Sequence, residues 1–413
     1  MFWVSSPRWL VFVLLAALTV GASKPMHAQA SDSVSGDVVV SNATTSEIPS
    51  TSIDFLPASS VSTGAAPLPA AAHLPVPLNQ RVLSYIELFQ GRLHDFIESG
   101  LKRGSQYLPM IQRVFSAQGL PPDLAYVPLI ESAFKSEAIS KASAKGVWQF
   151  MKGTALENGL RSDFYIDERS NPEKATVAAA NYLKTLSETF GGDWQLALAS
   201  YNSGPGRVQQ AIKRAGTANF WSLAARPTAL PRETREYVPM ILAAIVIARN
   251  PAQYGFSYQA DEAAKFETVR LPRAVELRKV AEWTGSTVET LRSLNPELRR
   301  PMTPIHDANY ALRVPVGTSV EIARRMDEST GQDLLSLTRY TVKSGETLPA
   351  VARKLHISRQ DLADANNLSL TASVSAGQEL MVPADVPYVS YAQAQKKTSA
   401  KKAPAKQVAS ASK

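Results

Sequence analysis

What most limits the folds open to this 413-residue chain is a change of hydrophobic period near Gly255. Before it, apolar residues return at every third or fourth position: Ile86, Phe89, Leu93 and Phe96, then Leu108, Ile111 and Val114. That spacing belongs to helices that bury one face. It runs to about Asn250, broken by stretches rich in Gly, Ser and Pro at 145–172 and 202–206, and no strong alternation interrupts it. An all-α domain over residues 81–257 is predicted.

Beyond Gly255 two segments each read strand, helix, helix, strand. The clearer begins at Arg339-Tyr340-Thr341-Val342, and Ser344-Gly345-Glu346-Thr347 opens a helix through Leu355 with Ser344 or Gly345 as its cap. A second helix follows from Ser358 to Asn366, and Glu379 to Pro383 closes as a strand. The earlier copy has a strand at Phe266 to Leu271, helices carrying Leu277, Val280, Ala281 and Val288, Leu291, Leu294, and a closing strand from Tyr310 to Pro315. Leu312-Arg313-Val314-Pro315 aligns with Leu380-Met381-Val382-Pro383, and Leu294-Asn295 with Ala365-Asn366. A duplicated βααβ module is expected, degenerate at 265–316 and complete at 338–384. The fold class is therefore multidomain: an all-α domain followed by small α+β modules.

The ends of the chain read differently. Arg8, the apolar run Leu10 to Val20 and Ala28-Gln29-Ala30 form a signal-peptide pattern over residues 1–30, too short in its apolar part to span a bilayer. Residues 31–80, rich in Ser, Thr, Ala, Val and Pro, read as a disordered linker. Residues 385–413 read as a disordered basic tail; Lys396, Lys397, Lys401, Lys402, Lys406 and Lys413 supply six charges of the net +8. The remaining +2 gives no general basic field, which argues against a nucleic-acid partner. There is no cysteine, so disulfides, thiolate chemistry and a cysteine-linked lipid anchor are excluded. The five histidines (His27, His73, His94, His306, His356) form no metal-ligand pair at helical spacing. Neither metal nor cofactor is expected.

The chemistry centres on Leu129-Ile130-Glu131-Ser132-Ala133-Phe134, at the end of a helix that begins near Pro121-Pro122-Asp123. An acid among Leu129, Ile130 and Phe134 is either exposed on a polar face or buried, and burial raises a carboxyl pKa into the range of a proton donor. Two further loops bear on the choice. Gly146-Val147-Trp148-Gln149-Phe150-Met151 sets an amide between aromatic residues, and Ala199-Ser200-Tyr201-Asn202-Ser203-Gly204 ends an apolar helix on Tyr and Asn. Amides and hydroxyls beside aromatic faces suit a sugar, although a Trp-Gln pair alone is usually packing and Asn before Ser-Gly usually stops a helix.

Together, Glu131-Ser132, Gly146 to Met151 and Ala199 to Gly204, with Gly191-Gly192-Asp193-Trp194 and Glu233-Thr234-Arg235-Glu236-Tyr237-Val238-Pro239, resemble the lytic transglycosylases with a goose-type lysozyme-like fold. Among these the membrane-bound murein D type is most similar. The Tyr-Thr-Val-x-x-Gly-Glu-Thr-Leu run at 340–348 resembles LysM domains, which bind N-acetylglucosamine-containing glycans; the 266–315 copy lacks the Gly-Glu-Thr opening. The resemblance implies cleavage of the β-1,4 bond between N-acetylmuramic acid and N-acetylglucosamine in peptidoglycan, leaving 1,6-anhydro ends. It implies Glu131 as the one catalytic acid and base, and Gly146, Gln149, Tyr201 and Asn202 as substrate contacts. Ser132 would orient nearby groups, Tyr237 would reach Glu131 or the sugar, and Gly345, Glu346, Thr347 and Asn366 would contact wall glycan.

Asp163, Asp167 and Glu168 read as solvated loop acids near the groove. A lysozyme that hydrolyses the same bond needs a second acid, for which Asp163 or Asp167 would serve. A non-catalytic wall-binding protein would not need Glu131, Gln149 and Tyr201-Asn202 together. The partners implied are peptidoglycan strands, with no transmembrane segment in the mature chain, a monomeric state, and a periplasmic, wall-associated or outer-membrane-associated location.

Overall fold

The computed structural model describes residues 73–382 apart from 306, 336–337 and 358. The signal-peptide, tail and most of the linker expectations fall outside the described residues. The helical domain is made of α1 (Gln80–Gln90), α2 (His94–Gly104), α3 (Leu108–Ala117), α4 (Val127–Ser132), α5 (Lys152–Glu157), α6 (Pro172–Thr189), α7 (Trp194–Ser203), α8 (Pro205–Ala215), α9 (Phe220–Ala225) and α10 (Arg232–Arg249). Local chemistry fixes their starts. Asn79, Asn171 and Asp193 accept backbone N–H groups at the heads of α1, α6 and α7, and Pro172 occupies the first turn of α6, where a missing N–H costs nothing.

One core runs from Leu74 to Phe256. Its axis is α10, buried from Tyr237 through Ile245, which packs against α1, α7 and α4. A helix apolar on nearly all sides belongs at the centre of a domain. The cleft helix α4 comes close to α2 because α2 carries Gly100 and Gly104 there. A Cβ on Gly100 would lie 2.4 Å from Leu129 Cδ1, and one on Gly104 would lie 2.6 Å from Phe134 Cε2.

Two corrections concern this domain. The helix expected from Pro121 onward is split into a 3-10 turn at Pro122–Tyr126 and then α4, because Pro128 lies in the first turn of α4 and has no N–H to continue a ladder. The end of the expected linker is ordered. Leu74 is buried, its N–H donates to Asp123 Oδ2 at 2.7 Å, and Arg249 donates to both Asp123 oxygens and to the Leu74 carbonyl. A buried carboxylate with those partners holds a short proline-containing segment that composition alone reads as loose.

The two modules follow as expected in outline. β1 (Glu267–Leu271) pairs antiparallel with β2 (Tyr310–Val314) around α11 (Leu277–Thr284) and α12 (Val288–Leu294). β3 (Thr338–Thr341) pairs antiparallel with β4 (Glu379–Val382) around α15 (Leu348–Lys354) and α16 (Arg359–Ala365), after the short α13 (Ser319–Glu328) and α14 (Gly331–Leu334). The same asparagine closes each copy. Asn295 bonds Leu291 O, Arg313 O and Arg313 N; Asn366 bonds Leu362 O, Met381 O and Met381 N. The cap of α15 is Thr347, not Ser344 or Gly345; its hydroxyl accepts from Ala350 N while Gly345 turns the chain at φ 78°. The core of the first module takes in α13 and also Phe164, Tyr165 and Ile166 from the helical domain.

Candidate active site

Glu131 is the next-to-last residue of α4. The helix stops at Ala133, in the left-handed region at φ 49°, followed by Phe134 at φ 59°. Left-handed alanine and phenylalanine are uncommon, and they persist here because Ala133 N bonds Leu129 O, Phe134 N bonds Pro128 O, and the Phe134 ring is fully buried. The stop leaves Glu131 half-buried at the wall of a cavity of about 320 Å³.

The loop 143–150 forms another wall. Lys145 and Phe150 exchange backbone hydrogen bonds, Gly146 stands at φ 83°, and Gln149 is left-handed at φ 51°. Gly146 has no substitute: a Cβ would sit 1.7 Å from the Arg169 carbonyl oxygen. Trp148 is buried behind the loop, its indole N–H donating to Thr176. Ser132 Oγ donates to Val147 O at 2.8 Å, tying this loop to the helix that carries Glu131. Gln149, Phe150 and Met151 face the cavity.

Tyr201 and Asn202, at the end of α7, and Glu233, from α10, complete the lining with Tyr182. Tyr201 donates to Trp148 O at 2.8 Å, and its ring lies 5.6 Å from Tyr182 and 6.3 Å from Phe150. Asn202 is fixed from α10: Thr234 Oγ1 donates to its Oδ1 at 2.8 Å, and its Nδ2 donates to Glu233 Oε1 at 3.4 Å. Tyr237, buried beneath, donates its hydroxyl to Glu131 Oε1 at 2.6 Å.

The electrostatics are one-sided. Burial pushes the Glu131 carboxyl up to about 7; the Tyr237 hydrogen bond pulls the other way, and the nearby negative charge of Glu233 adds to the rise. Tyr201 and Tyr237 are held well above their usual range by burial and then by Glu131, so both stay protonated donors at neutral pH. Such a carboxyl can give and take a proton near neutrality.

The structure thus brings Glu131, Gln149, Tyr201 and Asn202 to one cavity, with Ser132, Gly146 and Tyr237 holding it from behind. Glu233, Thr234 and Tyr182 were not singled out from sequence as site residues. The four-residue step from Glu233 to Tyr237, one helical turn, was the available sign that both share a face. Asp167 and Glu168 are not solvated. Asp167 is buried, held by Arg169 Nε and Nη2 at 2.9 Å each and by Lys145 at 3.2 Å, and these cations keep its carboxyl below the usual range against the effect of burial. Glu168 is buried with Lys174 and the Arg161 N–H as partners. Asp163 accepts from Arg161 and from the N–H groups of Tyr165 and Ile166. None of the three lines the cavity.

In the second module Glu346 accepts from Tyr340, Lys343 N and Lys354, which hold its carboxyl down at about 2. Gly345, Glu346 and Thr347 share one turn. The Asn366 amide closes α16 onto β4, its Nδ2 donating to Leu362 O and Met381 O and its Oδ1 accepting from Met381 N. Among the described residues there is no cluster of acids and histidines placed to hold a metal, and no helix long and apolar enough to cross a membrane.

Comparison with known proteins agrees with this layout. The family model for the transglycosylase SLT domain matches residues 110–224, that for the LysM-like domain of lytic transglycosylase MltD matches 265–329, and that for the LysM domain matches 340–383. The membrane-bound lytic murein transglycosylase D of Escherichia coli K12 is 32% identical over 324 residues, covering 75% of this chain and 70% of that protein. The peptidoglycan transglycosylase gp16 of Escherichia phage T7 is 42% identical over 106 residues, covering 25% of this chain and 8% of that protein. Among solved structures, the 70 kDa soluble lytic transglycosylase of Escherichia coli is 26% identical, with TM-score 0.34, covering 43% of this chain and 28% of that one.

Proposed function

The chain belongs to the membrane-bound lytic murein transglycosylase D family, and from that premise we propose that Glu131 alone supplies the acid and the base for peptidoglycan cleavage. The protein is a peptidoglycan lytic transglycosylase with a glycan-binding LysM domain. The observation that carries the role of Glu131 is its place in the cavity wall, withdrawn from water, with Tyr237 donating to Oε1.

With Oε1 occupied by the tyrosine, the acidic proton resides on Oε2. Glu131 delivers it to the glycosidic oxygen between N-acetylmuramic acid and N-acetylglucosamine, and the C1–O bond breaks. The 2-acetamido carbonyl of the muramoyl sugar stabilises C1 while Glu131 stands as carboxylate. Glu131 then removes the C6 hydroxyl proton, and that oxygen closes on C1 to give the 1,6-anhydro ring. Water is neither consumed nor required, which departs from two-carboxylate hydrolysis. Gln149, with Nε2 engaged by Ala138 O and Gly146 O, offers Oε1 to a sugar hydroxyl or amide. The Asn202 amide, oriented by Thr234, and the Tyr182, Phe150 and Tyr201 rings suit the acetamido group and the sugar face.

Glu233 is the one other carboxylate on the cavity. Its charge favours the protonated form of Glu131. Mass spectrometry of digested sacculi tests the reaction: anhydro ends are lighter than reducing ends by one water, and reducing ends alone would overturn it. The amino-terminal export pattern and the LysM domain support an enzyme held at the wall outside the cytoplasmic membrane.

A further inference from the structure

The two modules differ where the chain enters its first helix. In the second, residues 343–345 of that turn are exposed. In the first, Pro272 and Arg273 of the matching turn are exposed as well, but Ala274 and Val275, nearest the helix, are buried under its own chain: Val275 N donates to Thr303 Oγ1, Thr303 N donates to Val275 O, Leu277 N donates to Pro301 O, and Glu276 N donates to Leu334 O. What the first module does hold is the helical domain. Phe164, Tyr165 and Ile166 are buried in its core. Arg299 N donates to Tyr165 O and Asp167 N to Glu297 O, both at 2.8 Å. The buried Glu297 side chain accepts from Asn171 at 3.0 Å and from Tyr310 at 3.3 Å.

The segment so held leads to the cavity. Asp167 grips Arg169 through both oxygens, and Arg169 Nη1 donates to Ser143 O at 2.9 Å and Phe150 O at 3.1 Å, the two ends of the loop that presents Gln149. We propose that the module at 265–334 is a buttress of the active site, with Glu297 and Arg169 as positioning residues that set the Gln149 loop for turnover, and that it does not read glycan. This rests on the reading above that the Gln149 loop holds the muramoyl sugar.

The test uses the full chain with soluble, uncrosslinked glycan strands, and measures retention on insoluble sacculi separately in a Glu131→Gln background. Arg169→Gln is expected to lower kcat about 10- to 100-fold, the scale on which small misplacement of a reacting group is felt. Glu297→Ala should lower kcat by about three- to tenfold, more than it raises KM, since its backbone bond to Asp167 survives. Glu297→Gln, which keeps an acceptor oxygen for Asn171 and Tyr310, should restore most of that loss. Retention on sacculi should stay at the wild-type level in all three. Wild-type kcat in Glu297→Ala, failure of Glu297→Gln to recover activity, or weakened retention with intact kcat would each overturn the buttress. Reducing ends from the wild type would sink the proposed reaction instead, and the kcat ratio of variant to wild type would still judge the coupling.

Discussion

Glu131 and Asp167 are acids in the same helical domain, both withdrawn from bulk water, and their environments drive them in opposite directions. Around Glu131 there are a tyrosine, an amide loop and another carboxylate, so removal from water raises its pKa to about 7. Around Asp167 there are Arg169 and Lys145, and their charges outweigh the same desolvation and hold it ionised. The difference teaches that burial does not decide a carboxyl group's task; the presence of a cation does. The acid with no ion pair, Glu131, is free to carry a proton, and the acid with two, Asp167, carries structure.

The sharpest way to break this contrast is to remove the proton carrier. Glu131→Gln should lower the release of anhydro ends by about a thousandfold or more, because no second group takes both proton steps. A zymogram cleared equally by mutant and wild type would end the assignment. The complementary change, Asp167→Asn, strands Arg169 and Lys145 in a low-dielectric setting and should cost about 3–5 kcal/mol of stability, read by denaturant unfolding. If Asp167→Asn left stability intact while abolishing activity, the division of labour would be reversed.

The two acids should also give opposite pH signatures. Glu131 has a folded pKa above its unfolded value of 4.5, so the unfolded chain releases its proton first as pH rises, and folding is weakened from about pH 4.5 up to about 7. Glu131→Gln should therefore be stabilised relative to wild type at pH 8, on the order of 2 kcal/mol, with little difference at pH 4. Asp167 has a folded pKa below its unfolded value of 3.8; its contribution is present above that value and disappears as pH falls through the lowered folded one. Thermal melts of wild type and both variants from pH 3 to 8 would separate the slopes. The smallest effect is expected from Tyr237→Phe. Losing its hydrogen bond to Glu131 removes the one interaction that favours the carboxylate, so the alkaline limb of the kcat profile should move upward from near 7, with kcat reduced about tenfold. A downward shift of that limb would show that the tyrosine serves the neutral acid instead.

Much of the cleft was legible because its signals are local. An acid inside Leu129-Ile130 and Phe134, an amide beside Trp148, and Tyr201-Asn202 at a helix end each lie within a few residues; each is weak alone, and their agreement in order and spacing carries the signal. The βααβ copies were legible for the same reason, through alternation and the paired Leu294-Asn295 and Ala365-Asn366. What sequence misread depends on partners distant along the chain. Asp167 looks like a surface acid until Lys145 and Arg169 fold over it, and Glu168 until Lys174 does. The aromatic run Phe164-Tyr165 falls in a loop rich in polar residues, and nothing local shows that its rings insert among Leu277, Leu298 and Leu312, more than a hundred residues onward. The Thr347 cap was missed by a few positions, within the ordinary spread of helix ends.

The Asp123 cluster joins Leu74, where the chain enters the helical domain, to Arg249, where it leaves α10. One carboxylate thus clasps the two ends of the stretch of chain that builds the helical domain. Fraying that starts at Leu74 or beyond Arg249 must break the same ion pair before it reaches the helix that carries Glu131.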